Sequence, residues 1–350
     1  LSNNPICSLP DCVKGLSRLQ MLQLQSCTRL QSILGLPSVS ELFVGGCRSL
    51  EKITYLSTLF RLPDIEHTSC NKLVEIQGLF KLEPISEVDA EMINNLGLFN
   101  LDSMANVEVE FRDGISMYTK KRPIQGLHQF GIFSTFVPRK EVPGWFSNES
   151  SGSSISFTVT SPHNLRIRGL IVYSVYALSN IKENWFPHPL FTKISNKTKN
   201  LTWIYHPTCY GIPEADEDMV WLSHWTFGNQ LEVGDQVRIS IVVDVGFQVK
   251  KCGIEFVYDD DEEEEKKSNP HNSDISREEV IGGDLSTFQV SSGEYFLCRQ
   301  RFEWYDIHGH PSNDDWTGTD WYESLFGDSV ETKVPVIGWD WMGPRKEQIC

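Results

Sequence analysis

The chain has 350 residues, of which 40% are hydrophobic and 22% charged, a composition typical of globular proteins rather than disordered or fibrous ones. Its formal net charge is −16, and residues 259–350 hold 22 of the 47 acidic residues but only 8 of the 31 basic ones. Nucleic acids and anionic membranes are bound by basic surfaces, so we expect neither as a partner. No apolar stretch reaches the roughly 18 residues of a membrane-spanning helix, so we expect no membrane span.

The nine cysteines are scattered and form no Cys-x-x-Cys pair, which argues against a structural zinc site. An odd number of thiols in a chain of this size favours reduced cysteines and therefore a cytoplasmic or nuclear location. The chain begins without Met and in the middle of a repeated pattern, so we expect it to be a fragment of a longer protein.

A repeated pattern of apolar residues runs through residues 1–84. The spacing L-x-x-L-x-L-x-x-C-x-x-L begins at Leu19, returns from Val39 in the same register, and returns more weakly from Leu62. In each copy the L-x-L piece predicts a short strand, and the next small polar residue turns inward to bond backbone groups. We call these inward positions rungs; they are Asn4, Cys27, Cys47 and Cys70. Their separations of 23, 20 and 23 residues are typical of leucine-rich repeats.

The segment 85–104 carries apolar residues at roughly helical spacing and is predicted to be a capping helix or linker that covers the last repeat. From 105 to 258 the hydrophobic period becomes two, as in Val107, Val109 and Phe111. Eight or nine short strands separated by turn residues, one of them the largely apolar run at 167–178, predict an antiparallel β-sandwich of jelly-roll or immunoglobulin-like type. Residues 125–130 are interpreted as one helical turn before a strand.

Beyond residue 258 the composition changes twice. Seven consecutive acidic residues open segment 259–275, which we interpret as a solvated linker because like charges in a row repel. Segment 276–350 holds five of the ten tryptophans and is interpreted as an extension packed on the sandwich. The predicted fold class is therefore mainly β: the end of a leucine-rich-repeat solenoid, an antiparallel β-sandwich and an aromatic-rich C-terminal extension.

The sequence lacks the common catalytic and nucleotide-binding signatures, such as the phosphate-binding loop and the H-E-x-x-H zinc motif. The carboxylates of Glu214, Asp216, Glu217 and Asp218, the pair His206 and Cys209, and the His308-Gly309-His310 motif are each better explained as loop or surface residues. We therefore expect no enzyme, no metal and no cofactor. The tryptophans leave a second class open, a carbohydrate-binding module that stacks sugars on exposed rings, although core packing is the more ordinary explanation. These rings are Trp145, Trp185, Trp203, Trp221 and Trp225.

Several ordered motifs resemble the C-terminal end of plant intracellular immune receptors of the TIR, nucleotide-binding, leucine-rich-repeat class. The repeats with Cys rungs resemble the last repeats of that family. The later motifs resemble its post-repeat jelly-roll and immunoglobulin-like domain (C-JID). They are VPGWF (142–146) with GSSISF (152–157), DMVWLSHW (218–225), GD (234–235) with GF (246–247), and VKKCGIEFVY (249–258).

The resemblance implies a function in plant defence. In that family this region recognises a pathogen effector protein, recognition relieves the autoinhibition of a nucleotide-gated switch, and activated receptors assemble so that their TIR domains cleave NAD. Neither the TIR domain nor the nucleotide-binding domain lies in this chain, which is therefore expected to bind and not to catalyse. Its expected partners are the effector, other domains of the same receptor and, in the full-length receptor, further copies.

The residues expected to contact an effector are outward positions of the repeat strands and aromatic anchors in two long loops, 182–188 and 206–218. The outward positions are Gln23, Gln25, Phe43, Glu66 and Thr68, and the anchors are Trp185, Phe186 and Tyr210. Trp145 and Trp221 are assigned to the core. Two alternatives remain open: the carbohydrate-binding module, and a purely structural cap that holds the receptor closed.

Overall fold

The computed structural model describes residues 1–56, 64–98, 104, 106–113, 119–139, 144, 146, 148–161, 165–179, 190–227, 230–243, 246–258, 292–297 and 336–337. Within these residues the chain is mainly β, as the sequence predicts. The predicted linker 259–275 lies outside the described residues, as does most of the extension 276–350. Among the described helices, none combines the length and the apolar character needed to cross a bilayer.

Twenty-two strands are described. The repeat region and its end hold β1 (Met21–Gln23), β2 (Ser32–Leu36), β3 (Glu41–Phe43), β4 (Lys52–Tyr55), β5 (Asp64–Glu66), β6 (Glu75–Ile76) and β7 (Phe80–Pro84). The following strands are β8 (Glu108–Asp113), β9 (Thr119–Pro123), β10 (Gln125–Gln129), β11 (Ile132–Pro138), β12 (Asn148–Ser151), β13 (Ser154–Thr158), β14 (Ile167–Leu178), β15 (Leu190–Asn196), β16 (Leu201–Tyr205), β17 (Cys209–Ile212), β18 (Asp218–Thr226), β19 (Gln236–Val243), β20 (Phe247–Tyr258), β21 (Gly293–Leu297) and β22 (Val336–Ile337). The helical pieces are short: two 3-10 turns, Asp11–Gly15 and Ile85–Glu87, and helix α1 (Ala90–Asn95).

The repeated copies stack side by side with two parallel strands each. Strands β1, β3 and β5 form a three-stranded front sheet, and β2, β4 and β6 pair in parallel behind it. Leu24, Leu42, Val44 and Ile53 point between the two rows of strands and are fully buried. The alternation read from the sequence therefore places the leucine-type residues in one continuous core.

The rungs lie just after the front strands. Three rung thiols each donate a hydrogen bond to a carbonyl oxygen of the preceding copy: Cys27 to Leu1 (3.3 Å), Cys47 to Leu24 (3.0 Å) and Cys70 to Val44 (3.1 Å). Asn4 occupies the same place in the first copy but is exposed, and its amide donates to the carbonyl of Leu1 at 2.9 Å. The inward, backbone-binding role predicted for the three cysteines matches these contacts.

The residue before each rung turns the chain with a positive φ. Asn3, Ser26, Gly46 and Ser69 have φ angles of 61°, 58°, 74° and 61°. This left-handed conformation is uncommon for a residue with a side chain. It lets the chain leave the front strand and place the rung inward in every copy, so the four turns share one backbone geometry although their side chains differ.

A single ten-stranded sheet joins the repeats to the β-sandwich. Its strand order is β12-β20-β14-β18-β11-β10-β7-β6-β4-β2. The join is the hairpin β6–β7, in which Ile76 pairs with Phe80, followed by antiparallel pairing of β7 with β10. Phe80 and Leu127 belong to the core of the repeats, so strands β7 and β10 cover the last copy.

Helix α1 differs from its predicted role. Its Ile93, together with Ile85, Val88 and the following Leu96, packs in the sandwich core and not in the core of the repeats. Asp89 caps the helix by accepting a hydrogen bond from the Glu91 amide at 2.7 Å. Of the two roles predicted for 85–104, capping helix or linker, the described part fits the linker, because the sheet itself closes the end of the repeats.

The second sheet of the sandwich has the order β13-β19-β15-β16-β21-β22 and faces the ten-stranded sheet. Aromatic rings fill the space between the sheets. The Tyr205 ring of β16 lies 5.5 Å from Trp225 and 6.2 Å from Trp221 of β18, and Phe157 of β13 lies 5.6 Å from Phe256 of β20. From the extension, β21 pairs in parallel with β16, so this part of it is hydrogen-bonded to the sandwich.

Two predicted local structures are wrong. Residues 125–130 contain strand β10, not a helical turn, since Gln125–Gln129 lies between two other strands of the large sheet. The predicted loop 206–218 contains strand β17, which pairs with β8 in a third small sheet of order β17-β8-β9. By contrast, the strand predicted at 167–178 has those bounds as β14.

Candidate recognition surface

The front sheet and the residues two positions after its strands present nine outward residues, which we call the front face. They come from three positions on each copy, because alternate residues of a strand point to opposite sides. The members of the front face are Met21, Gln23, Gln25, Glu41, Phe43, Gly45, Asp64, Glu66 and Thr68. The parallel register aligns Gln23, Phe43 and Glu66 in one row, and Met21, Glu41 and Asp64 in the row before it.

One carboxylate of the front face is held in place. The Glu66 carboxylate accepts hydrogen bonds from the backbone amides of Gly45, at 3.2 Å, and Thr68, at 3.0 Å. Gly45 leaves the room that this side chain needs, since a Cβ there would lie 2.4 Å from a Glu66 oxygen. The carboxylate therefore lies across the neighbouring strand instead of extending into solvent.

The front face is acidic and partly apolar. It carries Glu41, Asp64 and Glu66 and no Lys or Arg. Met21 is 47% exposed and Phe43 is partly exposed in the middle of the face. Such a surface, with an aromatic centre and fixed negative charge, complements a partner surface that combines apolar and basic side chains.

The structure brings together five of the predicted contact residues. Gln23, Phe43 and Glu66 share a row, and Gln25 and Thr68 belong to the next row of the same face. Met21, Glu41 and Asp64 were not predicted, although the period-two pattern that identified Gln23, Phe43 and Glu66 also points to the residue two positions earlier. The predicted anchors Trp185 and Phe186 lie outside the described residues.

Tyr210 is wrong as an exposed anchor. It lies in strand β17 and is only 1% exposed, and its ring centroid is 6.3 Å from that of Phe247. Pairing of β17 with β8 turns this segment into part of the sandwich, so the phenol ring packs inside. A tyrosine between prolines resembles a loop residue in sequence, and only the long-range strand pairing reveals its burial.

The described tryptophans among those considered for sugar stacking are buried. Trp203, Trp221 and Trp225 are 2%, 1% and 0% exposed. Sugar stacking needs one open ring face, which these residues lack. The core assignment of Trp221 is confirmed, whereas Trp145 and Trp185 lie outside the described residues.

The side chains considered for catalysis or metal binding form ion pairs and hydrogen bonds within the fold. Lys121 pairs with Glu214 at 2.9 Å, and Lys250 pairs with the mostly buried Asp218 at 2.5 Å. The Nδ1 of His206 lies 2.9 Å from the Leu190 carbonyl oxygen, and burial lowers the pKa of this histidine to about 4. Over the described residues, no three His, Cys, Asp or Glu side chains gather as metal ligands would.

Comparison with known proteins connects half of the chain to plant defence. No family model matches the chain. A segment of 179 residues, 49% of the chain, is 26% identical to Disease resistance protein RPS4 of Arabidopsis thaliana, and the same identity and coverage hold for Inactive disease resistance protein RPS4 of that plant. The chain spans about 13% of the length of these relatives. Half of this chain is thus similar to one part of a plant disease resistance protein.

Proposed function

We propose that the chain is the effector-recognition region of a plant intracellular immune receptor. In this proposal residues 1–84 are the last leucine-rich repeats, and residues 105–258 are the post-repeat jelly-roll and immunoglobulin-like domain. The similarity to plant disease resistance proteins supports the part of the proposal that concerns plant defence. The parallel stacking of the copies and the two-sheet sandwich behind them support the division.

The observation that carries the proposal is the front face. Three parallel strands and the residues just after them align nine outward positions, eight of which carry side chains, and the contacts of Glu66 with two backbone amides order one of the charges of the face. A surface that is ordered before binding loses little conformational entropy when a partner docks. The residues of the face are exposed or half-buried along adjacent strands, which suits a protein ligand better than a small molecule that needs an enclosing pocket.

Binding and switching are coupled by differences in affinity. A pathogen protein that docks on the front face activates the receptor only if it binds the open form more tightly than the resting form. The chain itself binds and does not catalyse. The nucleotide-gated switch, the NAD-cleaving TIR domain and the assembly of activated receptors belong to other parts of the full-length protein.

The proposal is tested by a pair of arginine substitutions. The purified chain is screened against a displayed library of secreted proteins from plant pathogens, and each binder is re-tested on two variants. Phe43→Arg places a bulky charge in the middle of the front face, whereas Leu34→Arg adds the same charge on the rear strand β2, where Leu34 is 55% exposed. We expect Phe43→Arg to weaken binding by about tenfold or more, as at the centre of other interfaces, and Leu34→Arg to leave it unchanged.

Two results would contradict the proposal. One is a set of binders that tolerates Phe43→Arg as well as Leu34→Arg, because recognition would then lie elsewhere. The other is a chain that binds none of the displayed proteins while circular dichroism shows it to be folded.

A purely structural role is the second candidate, and the continuous ten-stranded sheet favours it. A sandwich that continues the sheet of the repeats and covers their last copy would hold the receptor closed without touching an effector. In the full-length protein, a substitution that loosens this junction would then activate the receptor in the absence of any pathogen protein. The recognition proposal instead expects the Phe43→Arg receptor to stay inactive when its partner is supplied.

A further inference from the structure

Three basic side chains converge beside the last copy of the repeats. Lys120 and Arg122 lie two residues apart on strand β9, and both donate hydrogen bonds to the carbonyl oxygen of Asn71, at 3.2 Å and 3.0 Å. Lys72 follows Asn71 in the chain and is exposed. We call Lys72, Lys120 and Arg122 the basic patch. It is a local concentration of positive charge in a chain whose net charge is −16.

The charges of the basic patch are hardly neutralised by the described part of the protein. Neither Lys120 nor Arg122 has a carboxylate within salt-bridge distance there. The Lys72 ammonium does have one carboxylate nearby, that of Glu51, but at the long distance of 4.0 Å. Partial burial, followed by the neighbouring charges of Arg122 and Lys72, lowers the pKa of Lys120. The segment 114–118 just before β9 contains no acidic residue. The three cations therefore repel one another, and an added anion would relieve that repulsion.

The opposite face of the same strand has a different arrangement. Lys121 forms an ion pair with Glu214 at 2.9 Å, and Glu108 and Glu110 on β8 also raise its pKa. Lysines on edge strands are a common protection against aggregation. The convergence of Lys120 and Arg122 on one carbonyl oxygen, with no described carboxylate within salt-bridge distance of either cation, is not explained by that protection alone.

We propose that the basic patch is a docking surface for an acidic protein segment. A peptide with two or three Asp or Glu residues can neutralise the patch while it stays within that small area. A long polyanion such as a nucleic acid would extend over the carboxylates around Lys121 and be repelled by the negative chain as a whole. The proposal is independent of the front face, whose acidic residues would attract the opposite kind of partner.

The test uses a fluorescein-labelled oligoglutamate peptide, with an oligoglutamine peptide as the uncharged control. Binding to the purified full chain is followed by fluorescence anisotropy at low ionic strength and again at physiological ionic strength. We expect oligoglutamate to bind, oligoglutamine not to bind, and salt to weaken the binding because the contacts are exposed.

Charge-matched variants locate the site. The double variant Lys120→Gln/Arg122→Gln should weaken oligoglutamate binding by about tenfold or more, as expected when facing charges are removed. The control Lys197→Gln/Arg238→Gln removes two exposed cations from the second sheet of the sandwich, one in the turn after β15 and one in β19, so it changes the net charge equally but should leave binding within about twofold. Lys72→Gln serves as a second variant, because within the described part of the protein the Lys72 side chain has a single ion-pair contact, the long one with Glu51. It should weaken binding by severalfold without affecting the fold.

Three outcomes would overturn the proposal. No binding of oligoglutamate at low ionic strength would mean that the patch does not attract acidic segments. Equal losses in the two double variants would mean that the attraction is general and not local. A single-stranded oligonucleotide of equal charge that binds as tightly as the peptide, and loses binding in the same variants, would make a nucleic acid the ligand.

Discussion

A buried carboxylate holds two loops of the sandwich together, and its removal gives the sharpest test of the fold. One Asp235 oxygen accepts hydrogen bonds from the Asn196 side-chain amide at 2.7 Å and from the Glu232 backbone amide at 3.0 Å. The same oxygen lies 3.5 Å from the Lys199 ammonium. Only 5% of the Asp235 side chain is exposed, so water cannot replace the carboxylate for these donors.

The substitution Asp235→Ala leaves the Asn196 amide buried without this acceptor, since Asn196 is 3% exposed. A buried donor left unsatisfied costs about 1–3 kcal/mol, and hydrogen bonds to a charged group lie towards the upper end of that range. We expect the free energy of unfolding to fall by about 3 kcal/mol once the contact with Lys199 is added. Asp235→Asn keeps an acceptor of the same size and should lose about 1 kcal/mol.

The measurement is urea unfolding followed by tryptophan fluorescence and far-UV circular dichroism. Glu232→Ala is the matched control, because this residue contacts the same Lys199 at 3.2 Å but its side chain is 68% exposed. An exposed pair of this kind contributes at most about 1 kcal/mol. If Asp235→Ala destabilises the protein no more than Glu232→Ala, the reasoning about the buried carboxylate is refuted.

Two further predictions follow from buried titratable groups. Burial lowers the pKa of His206 and His224 to about 4 from an unfolded value near 6.5, so stability is complete above pH 6.5 and is lost as the pH falls towards 4. Each histidine should lower the free energy of unfolding by about 2 kcal/mol between pH 6.5 and pH 5. The urea midpoint should therefore fall over this range, and it should fall less in the double variant His206→Gln/His224→Gln. A midpoint of the unsubstituted protein that does not change with pH would contradict the assignment. Burial also raises the pKa of the Cys47 thiol to about 11, so native protein should be labelled by iodoacetamide at the exposed Cys7 and Cys12 but not at Cys47. Mass spectrometry of the digested protein checks this, and labelling of Cys47 as fast as Cys7 would show that the rung is open to solvent.

Local sequence patterns were sufficient to predict the structure where the position of a residue in a short pattern determines whether its side chain points inward or outward. The spacing of the rungs predicted that Cys47 and Cys70 turn inward, and both thiols donate to backbone carbonyl oxygens. A largely apolar run predicted strand β14, because a central strand is covered on both faces. The outward residues Gln23, Phe43 and Glu66 came from the same period-two argument.

The remaining features depend on contacts between distant parts of the chain. Nearly every residue of strand β10 is buried, so its sequence shows no alternation of apolar and polar residues that a local pattern could detect. Gly126 in this strand allows close packing, since a Cβ there would lie 2.6 Å from the Phe133 ring. Tyr210 is buried only because β17 pairs with β8, which lies about a hundred residues earlier. In both cases the residues adjacent in the sequence do not show which strand becomes the pairing partner.

Because the repeats and the sandwich share one sheet, the number of repeats sets the distance and the direction of the first copies relative to the sandwich. Every added copy would insert one strand at the junction side and carry the earlier copies away from the sandwich by one strand spacing, about 4.8 Å. The natural twist would rotate them by about 20–25° at the same time. Because the ladder from β4 through β6 and β7 to β10 has no hinge, gain or loss of a copy would re-aim the outward side chains as a rigid unit. Related chains that differ by one copy would thus present the same side chains in a new direction relative to the sandwich.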